Sequence, residues 1–263
     1  MLSKMPTEKI RVTQLQADLH WEDKPANLRM FDEKIAAIGN TSDLIVLPEM
    51  FTTGFSMNAA ALAEPMDSAT LQHLSKWAAA SEAVVTGSFI AVENDHFFNR
   101  LVWMQPDGNY HTYDKRHLFT LADEHLTYTA GAEKLIVELM GWKVCPLICY
   151  DLRFPVWSRN TEAYDLLLYV ANFPAKRSAA WKSLLTARAI ENQVYTIGVN
   201  RVGTDGKGHY YSGDSCLVDF EGRVLYRASH IEDCFTTDLS YSAQLEFRQR
   251  FAFLADRDDF SIV

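Results

Sequence analysis

The chain has 263 residues, a net charge of −9 and 48% hydrophobic residues, a composition typical of a globular protein with a substantial core. A surface of this charge repels polyanions and no run of Lys or Arg forms a basic patch, which argues against nucleic-acid binding. No apolar stretch has the length of a transmembrane helix or of a signal-peptide core. With only four cysteines, we expect free thiols and a cytoplasmic location.

Apolar, β-branched runs alternate with helical patterns along the chain. The predicted strands are 10–16, 44–49, 83–90, 101–104, 144–150, 165–172 and 194–200. The predicted helices are about 26–39, 68–81 and 178–193. Because several strands are apolar almost throughout, we expect sheets that are covered on both faces.

Two turn sequences, 106-PDGN-109 and 220-FEGR-223, predict hairpins because each lies between short strand patterns. Helices that alternate with buried strands indicate α/β layering, and the hairpins add antiparallel pairs, so we predict mixed sheets. No Pro-, Gly- or Ser-rich linker and no internal repeat divides the chain. We therefore predict a single domain over 1–263, with a less regular C-terminal arm from about 241.

Three residues that could carry chemistry lie at the ends of predicted elements. Glu49 ends the second strand, Cys149 lies at the end of the fifth, and Lys115 follows the first hairpin. Reactive groups in open α/β sheets gather just past the carboxyl ends of strands. Each residue alone has an ordinary explanation as a surface acid, a solvated lysine or a core thiol. Together they supply the base, cation and nucleophile that acyl transfer through a thioester needs.

Motifs for other chemistries are missing from the sequence. Cys145 and Cys149 form C-x-x-x-C, but no second cysteine or histidine pair has zinc spacing. No H-E-x-x-H occurs, and the glycine-rich segment 203-GTDGKG-208 matches no phosphate-binding loop. We therefore predict no metal site, and we interpret 203–208 as a mobile loop.

Four blocks of sequence resemble signatures of the carbon–nitrogen hydrolase, or nitrilase, superfamily. They are 47-LPEMFTTGF-55, 114-DKRHLF-119, 148-ICYDLRFP-155 and 171-ANFPAKRSAAWKSLLTARAIENQVYTIGVNRVG-203. The blocks span nearly the whole chain in the order that the family has. The resemblance implies an αββα sandwich, in which two mixed sheets face each other with helices outside. It also implies a homodimer or a higher homo-oligomer.

The resemblance further implies a reaction and the residues that perform it. Glu49 would take the proton of Cys149, and the resulting thiolate would attack an amide carbonyl. Lys115 and the backbone N–H of Tyr150 would stabilise the oxyanion, and Glu124 would help to position substrate or water. Ammonia would leave and water would hydrolyse the thioester, without a metal or an organic cofactor.

Within the superfamily, 51-FTTGFSMN-58 and 148-ICYDLRFPVWSRN-160 resemble the bacterial omega-amidases. This narrower resemblance implies hydrolysis of the terminal amide of short 2-oxo dicarboxylic acid monoamides, such as 2-oxoglutaramate to 2-oxoglutarate and ammonia. A small anionic substrate of this kind needs a positively charged pocket. The predicted substrate-binding residues are Phe119, Phe173, Arg177 and Trp181, with Lys176 and Arg201 as further candidate cations.

Two residues next to the nucleophile are predicted to be structural. Asp151 and Arg153 would form a buried ion pair or hydrogen-bond set that fixes the turn, although Arg153 could instead bind a substrate carboxylate. Three other interpretations stay open. The protein could be another hydrolase of the superfamily, acting on a nitrile, an N-carbamoyl amine or a different amide. It could be a non-catalytic binding or scaffold protein, or a thiol enzyme with His117 or His125 as the base.

Overall fold

The computed structural model describes residues 5–262, which form thirteen strands and seven α-helices. The strands are β1 (Lys9–Gln16), β2 (Leu44–Val46), β3 (Val84–Glu93), β4 (His96–Met104), β5 (Tyr110–Asp114), β6 (Val137–Leu139), β7 (Trp142–Ile148), β8 (Leu166–Ala171), β9 (Tyr195–Asn200), β10 (Val202–Thr204), β11 (Tyr210–Val218), β12 (Val224–Ser229) and β13 (Asp233–Ser240). The helices are α1 (Lys24–Ile38), α2 (Ala59–Leu62), α3 (Ala69–Ser81), α4 (Glu124–Thr127), α5 (Pro155–Ser158), α6 (Ser178–Asn192) and α7 (Tyr241–Arg250). No helix within 5–262 is both long enough and apolar enough to cross a membrane.

The strands form two mixed sheets. The first has the order β13-β1-β2-β3-β4-β5, with β1, β2 and β3 parallel. The second has the order β10-β11-β9-β8-β7-β6, with β12 paired to β11 and with β7, β8 and β9 parallel. Both predicted hairpins are confirmed, because β4 pairs with β5 and β11 pairs with β12, each pair antiparallel.

The sheets pack face to face and helices cover their outer faces, which confirms the predicted αββα sandwich. Strand β2 shows why its residues are apolar throughout. Leu44 and Val46 belong to a core shared with the second sheet, whereas Ile45 packs beneath α1 and α3. Helix α6 lies on β9 and β11 of the second sheet. Because central strands are covered on both sides, apolar and polar residues do not alternate along them.

The sequence of helix α3 explains where the helix begins, which face it buries and where it ends. The Ser68 side chain accepts a hydrogen bond from the backbone N–H of Leu71 and so caps the first turn. The buried residues Leu71, Leu74 and Trp77 recur every three positions and form the face that packs on the first sheet. The helix ends at Glu82, whose positive φ of 51° stops the regular hydrogen-bond pattern.

Helix α6 lies unusually close to β9 because Gly198 has no side chain. A Cβ at Gly198 would come within 2.6 Å of both Trp181 and Leu185. The close approach buries the Trp181 indole completely.

The C-terminal segment is more regular than the sequence pattern predicts. Its first ten residues form α7, so the prediction of irregular structure from 241 is wrong there. Gln244 Nε2 donates to the Asp165 carbonyl at 2.8 Å, and Arg248 Nη1 lies 2.8 Å from Oδ1 of the same residue. These contacts hold α7 next to the start of β8. The wider expectation of a C-terminal arm stays a prediction.

Candidate active site

A buried cluster of charged side chains lies where several strands end. Glu49 follows β2, because the chain leaves the sheet after Val46 and reaches Glu49 through Pro48, which has no N–H to continue a ladder. Lys115 follows β5 and Glu124 begins α4. Lys115 Nζ donates to Glu49 Oε1 at 2.9 Å and to both oxygens of Glu124 at 3.0 Å. All three side chains are fully buried, so the structure brings these predicted residues together.

The cluster combines one ammonium group with two carboxylates, and this sets its electrostatics. Burial alone lowers the pKa of Lys115, but the carboxylates of Glu124 and Glu49 raise it by more, so its pKa lies above the usual range. Burial raises the pKa of Glu124, and the Lys115 ammonium opposes this change. We conclude that Lys115 stays charged at neutral pH, because losing its proton would leave two buried carboxylates uncompensated.

Two asparagines that the sequence patterns do not single out hold Glu49 in place. Asn99 Nδ2 donates to Glu49 Oε1 at 2.8 Å, and the backbone N–H of Asn172 donates to Oε2 at 2.7 Å. Asn172 Nδ2 also donates to the Glu49 carbonyl at 2.5 Å. The signal for Asn172 is its place directly after the apolar strand β8, since a buried amide there needs partners. Asn99 lies inside β4 and gives no comparable signal.

Cys149 lies at a strained turn. Strand β7 ends at Ile148, and Cys149 begins a 3₁₀ turn that runs to Arg153. Its φ is +44°, a left-handed conformation that costs a non-glycine residue about 1–3 kcal/mol. Met50 and Asp123, which adjoin Glu49 and Glu124, have φ values of 42° and 56°. Cys149 itself, and the neighbours of Glu49 and Glu124 in the chain, therefore have left-handed backbone. Such conformations are common at functional sites.

The environment of the Cys149 thiol favours its protonated form. Burial raises its pKa, the Glu49 carboxylate raises it further, and the Lys115 ammonium lowers it by less. The pKa therefore lies well above that of an ordinary thiol. The geometry is suited to a thiol that loses its proton to Glu49 during attack, since the base adjoins it.

Asp151 fixes the turn that carries the nucleophile. Its Oδ2 accepts from the Ile148 N–H at 3.0 Å and from the Tyr113 hydroxyl at 2.7 Å. Its Oδ1 accepts from the His117 N–H at 3.0 Å, and His117 Nδ1 lies 2.8 Å away. One carboxylate thus joins the turn at Cys149 to the loop after Lys115. These contacts would give Asp151 the structural role that the sequence predicts.

We expect Asp151→Asn to loosen this turn. The variant replaces an oxygen that accepts two hydrogen bonds with an NH₂ group, so buried donors lose their acceptor. The expected loss in free energy of unfolding is about 2–4 kcal/mol, measured by urea unfolding. A displaced Cys149 should also lower kcat roughly 10- to 100-fold. Asp67→Asn, at an exposed position, is the matched control, and a stable, fully active Asp151→Asn protein would contradict this role.

The cluster opens into a cavity of about 390 Å³. Lys115, Cys149 and Tyr150 lie in its wall, and the predicted residues Phe119 and Phe173 line it together with Phe55. This is a typical volume for a small-molecule site. The remaining lining residues are Leu121, Ala122, Asp123, Arg153, Asn172, Pro174, Lys176, Arg177, Asp205, Lys207, His209 and Tyr211.

Two predicted pocket residues lie elsewhere. Trp181 packs behind Phe173, with ring centroids 5.3 Å apart, and its Nε1 donates to the Asp214 carbonyl, so the prediction that it forms a pocket wall is wrong. Arg201 is buried, and its Nη2 donates to Asp18 Oδ1 at 2.8 Å. It does not line the cavity, and its candidate role as a pocket cation is therefore also wrong.

Of the two arrangements predicted for Asp151 and Arg153, Asp151 has the hydrogen-bond set, and among residues 5–262 it forms no ion pair with Arg153. The groups that contact the Asp151 carboxylate belong to Ile148, Tyr113 and His117. Arg153 is half-buried in the cavity wall, where its Cζ lies 5.6 Å from the Phe173 ring centroid. The alternative bases His117 and His125 do not line the cavity, and His117 is engaged with Asp151. The 3₁₀ turn explains the difference, because it directs Asp151 inward and Arg153 towards the pocket.

The glycine-rich segment 203–208 contributes to the cavity. It forms the end of β10 and the turn into β11, and Asp205, Lys207 and Tyr211 from this hairpin line the cavity. Its interpretation as a mobile loop stays a prediction. No sequence pattern connects this hairpin to Cys149, because the two lie far apart in the chain. Among residues 5–262, no group of three or more His, Cys, Asp or Glu side chains could hold a metal ion.

Comparison with known proteins places this site in a family. A model of the carbon-nitrogen hydrolase family matches residues 9–244. The chain belongs to the carbon–nitrogen hydrolase family. Among members of this family, the chain is 48% identical over 254 residues to omega-amidase YafV of Escherichia coli strain K12, covering 96% of this chain and 98% of that protein. It is 34% identical over 247 residues to the 2-oxoglutaramate amidase of Bacillus subtilis strain 168, covering 92% and 95% respectively.

The fold of this carbon–nitrogen hydrolase is also close to that of a solved member. The crystal structure of XC1258 from Xanthomonas campestris, a CN-hydrolase superfamily protein with an arsenic adduct in its active site, matches with a TM-score of 0.96. The two chains are 42% identical, and the match covers 98% of this chain and all of the other. The family and fold that the sequence blocks imply are therefore confirmed.

Proposed function

We propose that this carbon–nitrogen hydrolase is an omega-amidase that hydrolyses the terminal amide of short 2-oxo dicarboxylic acid monoamides through a thioester on Cys149. The observation that carries the proposal is that Cys149 and Lys115 line one cavity while the buried Glu49 accepts a hydrogen bond from Lys115 and adjoins the Cys149 thiol. The near full-length similarity to proteins named omega-amidase and 2-oxoglutaramate amidase supports the choice of substrate.

The first half of the reaction forms the thioester. Glu49 takes the proton from the Cys149 thiol as the sulfur attacks the amide carbonyl carbon. The oxygen gains negative charge, which the Lys115 ammonium and the backbone N–H of Tyr150 stabilise. When the C–N bond breaks, Glu49 returns the proton to the nitrogen and ammonia leaves.

The second half hydrolyses the thioester. Glu49 takes a proton from water as the water oxygen attacks the thioester carbonyl, and the C–S bond then breaks. The thiolate recovers its proton from Glu49 and the carboxylic acid product ionises. Glu124 accepts hydrogen bonds from Lys115 Nζ and, at 2.5 Å, from the Phe119 N–H. It therefore positions both the oxyanion-stabilising cation and one wall of the pocket.

The cavity also suits the charge and size of the proposed substrate. The protein has a net charge of −9, yet Arg153, Lys176, Arg177 and Lys207 all line this cavity. Aromatic rings, including Phe119 and Phe173, provide an apolar wall for a short carbon chain. A small anion with one uncharged amide end matches both features.

The test is ammonia release from 2-oxoglutaramate by the purified protein, compared with a short aliphatic nitrile, an N-carbamoyl amine and acetamide at equal concentrations. We expect the highest kcat/KM for 2-oxoglutaramate. A higher value for the nitrile or the N-carbamoyl amine would replace the omega-amidase assignment with another activity of the family. No turnover of any compound would instead favour a non-catalytic protein on this fold.

Two further properties belong to the same proposal. We propose a cytoplasmic location because all four cysteines are free thiols, including the exposed Cys234. We also propose a homodimer or a higher homo-oligomer, as the family resemblance implies. Sedimentation at several protein concentrations tests the second point, and a monomer at every concentration would contradict it.

A further inference from the structure

The indole of Trp21 lies between two glycines that belong to different walls of the cavity. A Cβ on Gly206 would lie 2.3 Å from Cδ1 and 2.4 Å from Nε1 of Trp21. A Cβ on Gly54 would lie 3.2 Å from Cε3, at the other end of the same indole. The five-membered ring therefore packs on the backbone at Gly206, and the six-membered ring packs on the backbone at Gly54.

The segment between β1 and α1, which carries this indole, is joined to both walls by backbone hydrogen bonds. The Val202 N–H, at the start of β10, donates to the Ala17 carbonyl at 3.0 Å. The Glu22 N–H donates to the Thr53 carbonyl at 2.8 Å, in the loop that follows Glu49. Because backbone groups make both bonds, the position of the indole is fixed relative to both walls.

The first wall is the loop of residues 50–58, which carries Phe55. Phe55 lines the cavity, and its ring centroid lies 5.1 Å from Lys115 Nζ. Gly54 directly precedes Phe55 in the chain, so the indole supports the backbone next to this ring. A shift of the loop would therefore move an aromatic ring that faces the catalytic ammonium group.

The second wall is the β10–β11 hairpin, whose tip is held together by one carboxylate. Asp205 Oδ1 accepts from the backbone N–H groups of Lys207 and His209, each at 2.9 Å. Its Oδ2 accepts from the Tyr211 hydroxyl at 2.9 Å. All four residues line the cavity. A tip braced in this way moves as one unit, so its place in the cavity depends on the indole against which Gly206 packs.

We propose that Trp21 is a positioning residue that sets the spacing between these two walls and thereby the chain length of the amide that the cavity accepts. The inference rests on the proposed function and names a determinant of its substrate range. Packed side chains transmit displacements because protein interiors have few voids. A misplacement of about 1 Å near reacting groups costs up to roughly 10²-fold in rate, so a small change in spacing is enough to alter selectivity.

The first experiment measures chain-length selectivity, as the kcat/KM for glutaric acid monoamide divided by that for adipic acid monoamide. We expect the intact protein to prefer the five-carbon amide. Trp21→Ala should lower the ratio roughly 10-fold, the lower end of the discrimination that one methylene group gives in an enclosed pocket. Trp21→Phe should keep most of the selectivity, because a phenyl ring still separates the walls.

The selectivity ratio distinguishes positioning from a general loss of structure. Partial unfolding would lower the rates for both amides equally, so an unchanged ratio in Trp21→Ala would overturn the proposal. Equal kcat/KM values for the two amides in the intact protein would overturn it as well. Tyr110→Ala is the matched control, since Tyr110 is an exposed aromatic residue at the start of β5 and should leave the ratio unchanged.

The second experiment tests the contact itself with a double-mutant cycle. The three atoms nearest to a Cβ at position 206 all belong to Trp21. Gly206→Ala should therefore lower kcat/KM for glutaric acid monoamide roughly 10-fold in the intact protein and about twofold or less in Trp21→Ala. Gly208→Ala is the control in the same turn, because a Cβ there meets nothing within 4 Å and its effect should be equal in both proteins. An equal effect of Gly206→Ala in both proteins would overturn the contact.

The third experiment needs no substrate. Lys207 is exposed at the tip of the hairpin, and trypsin cleavage after it is followed by mass spectrometry. We expect cleavage roughly 10-fold faster in Trp21→Ala, because the tip opens more often without its support. Cleavage after Arg223, in the exposed turn at the other end of β11, is the internal control and should keep its rate. An unchanged rate at Lys207 would overturn the proposal.

Failure of the proposed function would be visible separately from failure of this inference. If the intact protein hydrolyses neither amide, the omega-amidase proposal fails. The cleavage rate at Lys207 still decides whether Trp21 holds the hairpin in place.

Discussion

Cys149→Ala is expected to lower kcat for amide hydrolysis at least roughly 10⁴-fold, the scale on which nucleophile removal acts in other hydrolases. Cys149 is buried at the cavity wall, with a relative exposure of 8%, and the substitution removes the one thiol that lines the cavity among residues 5–262. Alanine should keep the fold, because the change deletes a single sulfur atom. Steady-state ammonia release and the unfolding temperature are the measurements.

Cys234→Ala is the matched control for this variant. Cys234 is exposed on β13 and does not line the cavity, so its replacement should leave both rate and stability unchanged. Mass spectrometry of the intact protein, quenched during turnover, should show an acyl adduct that is absent in Cys149→Ala. Residual hydrolysis by Cys149→Ala above about 1% of the original rate would exclude a thioester mechanism.

Glu49→Gln is expected to lower kcat roughly 10²- to 10⁴-fold, the contribution typical of a positioned general base. Burial and then the Glu49 carboxylate raise the pKa of Cys149, whereas Lys115 lowers it. Removing the carboxylate charge should therefore make the thiol easier to ionise. We expect Glu49→Gln to react faster with iodoacetamide at neutral pH while amide hydrolysis collapses, because a more available thiolate does not replace the lost proton transfer.

Faster alkylation together with slower amide hydrolysis would show that Glu49 acts as the base, because loss of a purely structural residue would not produce opposite changes in these two rates. Glu138→Gln, at an exposed position in β6, is the matched control and should alter neither rate. If both alkylation and hydrolysis fall in Glu49→Gln, the substitution has damaged the site as a whole. If hydrolysis survives, a different base serves Cys149, such as the histidine of a Cys–His enzyme.

The positions of the chemical groups along the chain could be read from local patterns. The strands before Glu49 and Cys149 are apolar over several residues, and a covered strand imposes that pattern whatever its partners are. The hairpin before Lys115 follows from the turn residues at 106–109. Patterns of this kind depend only on residues that are neighbours in the sequence, so they can be recognised without the tertiary structure.

Side-chain directions in the site depended on contacts between distant segments. Trp181 is aromatic and close in sequence to Phe173, but it packs against Gly198 of β9. Phe173 therefore lines the cavity and Trp181 lies behind it. Asp151 accepts hydrogen bonds from Tyr113 on β5 of the other sheet and from His117 in the loop after it, while Arg153 lines the cavity. None of these contacts leaves a periodic trace in the sequence.

The sequence by itself thus determined the α/β layering, because strand burial and turn chemistry depend on local patterns, and the resemblance of its four signature blocks identified the family and the order of Glu49, Lys115 and Cys149. Only the tertiary structure decided which groups meet: Asn99 and Asn172 around Glu49, the β10–β11 hairpin at the cavity, and two arginines against the Phe173 ring. The physical reason is that hydrogen bonds and ion pairs across a sandwich join residues far apart in the chain, and their partners are selected by packing.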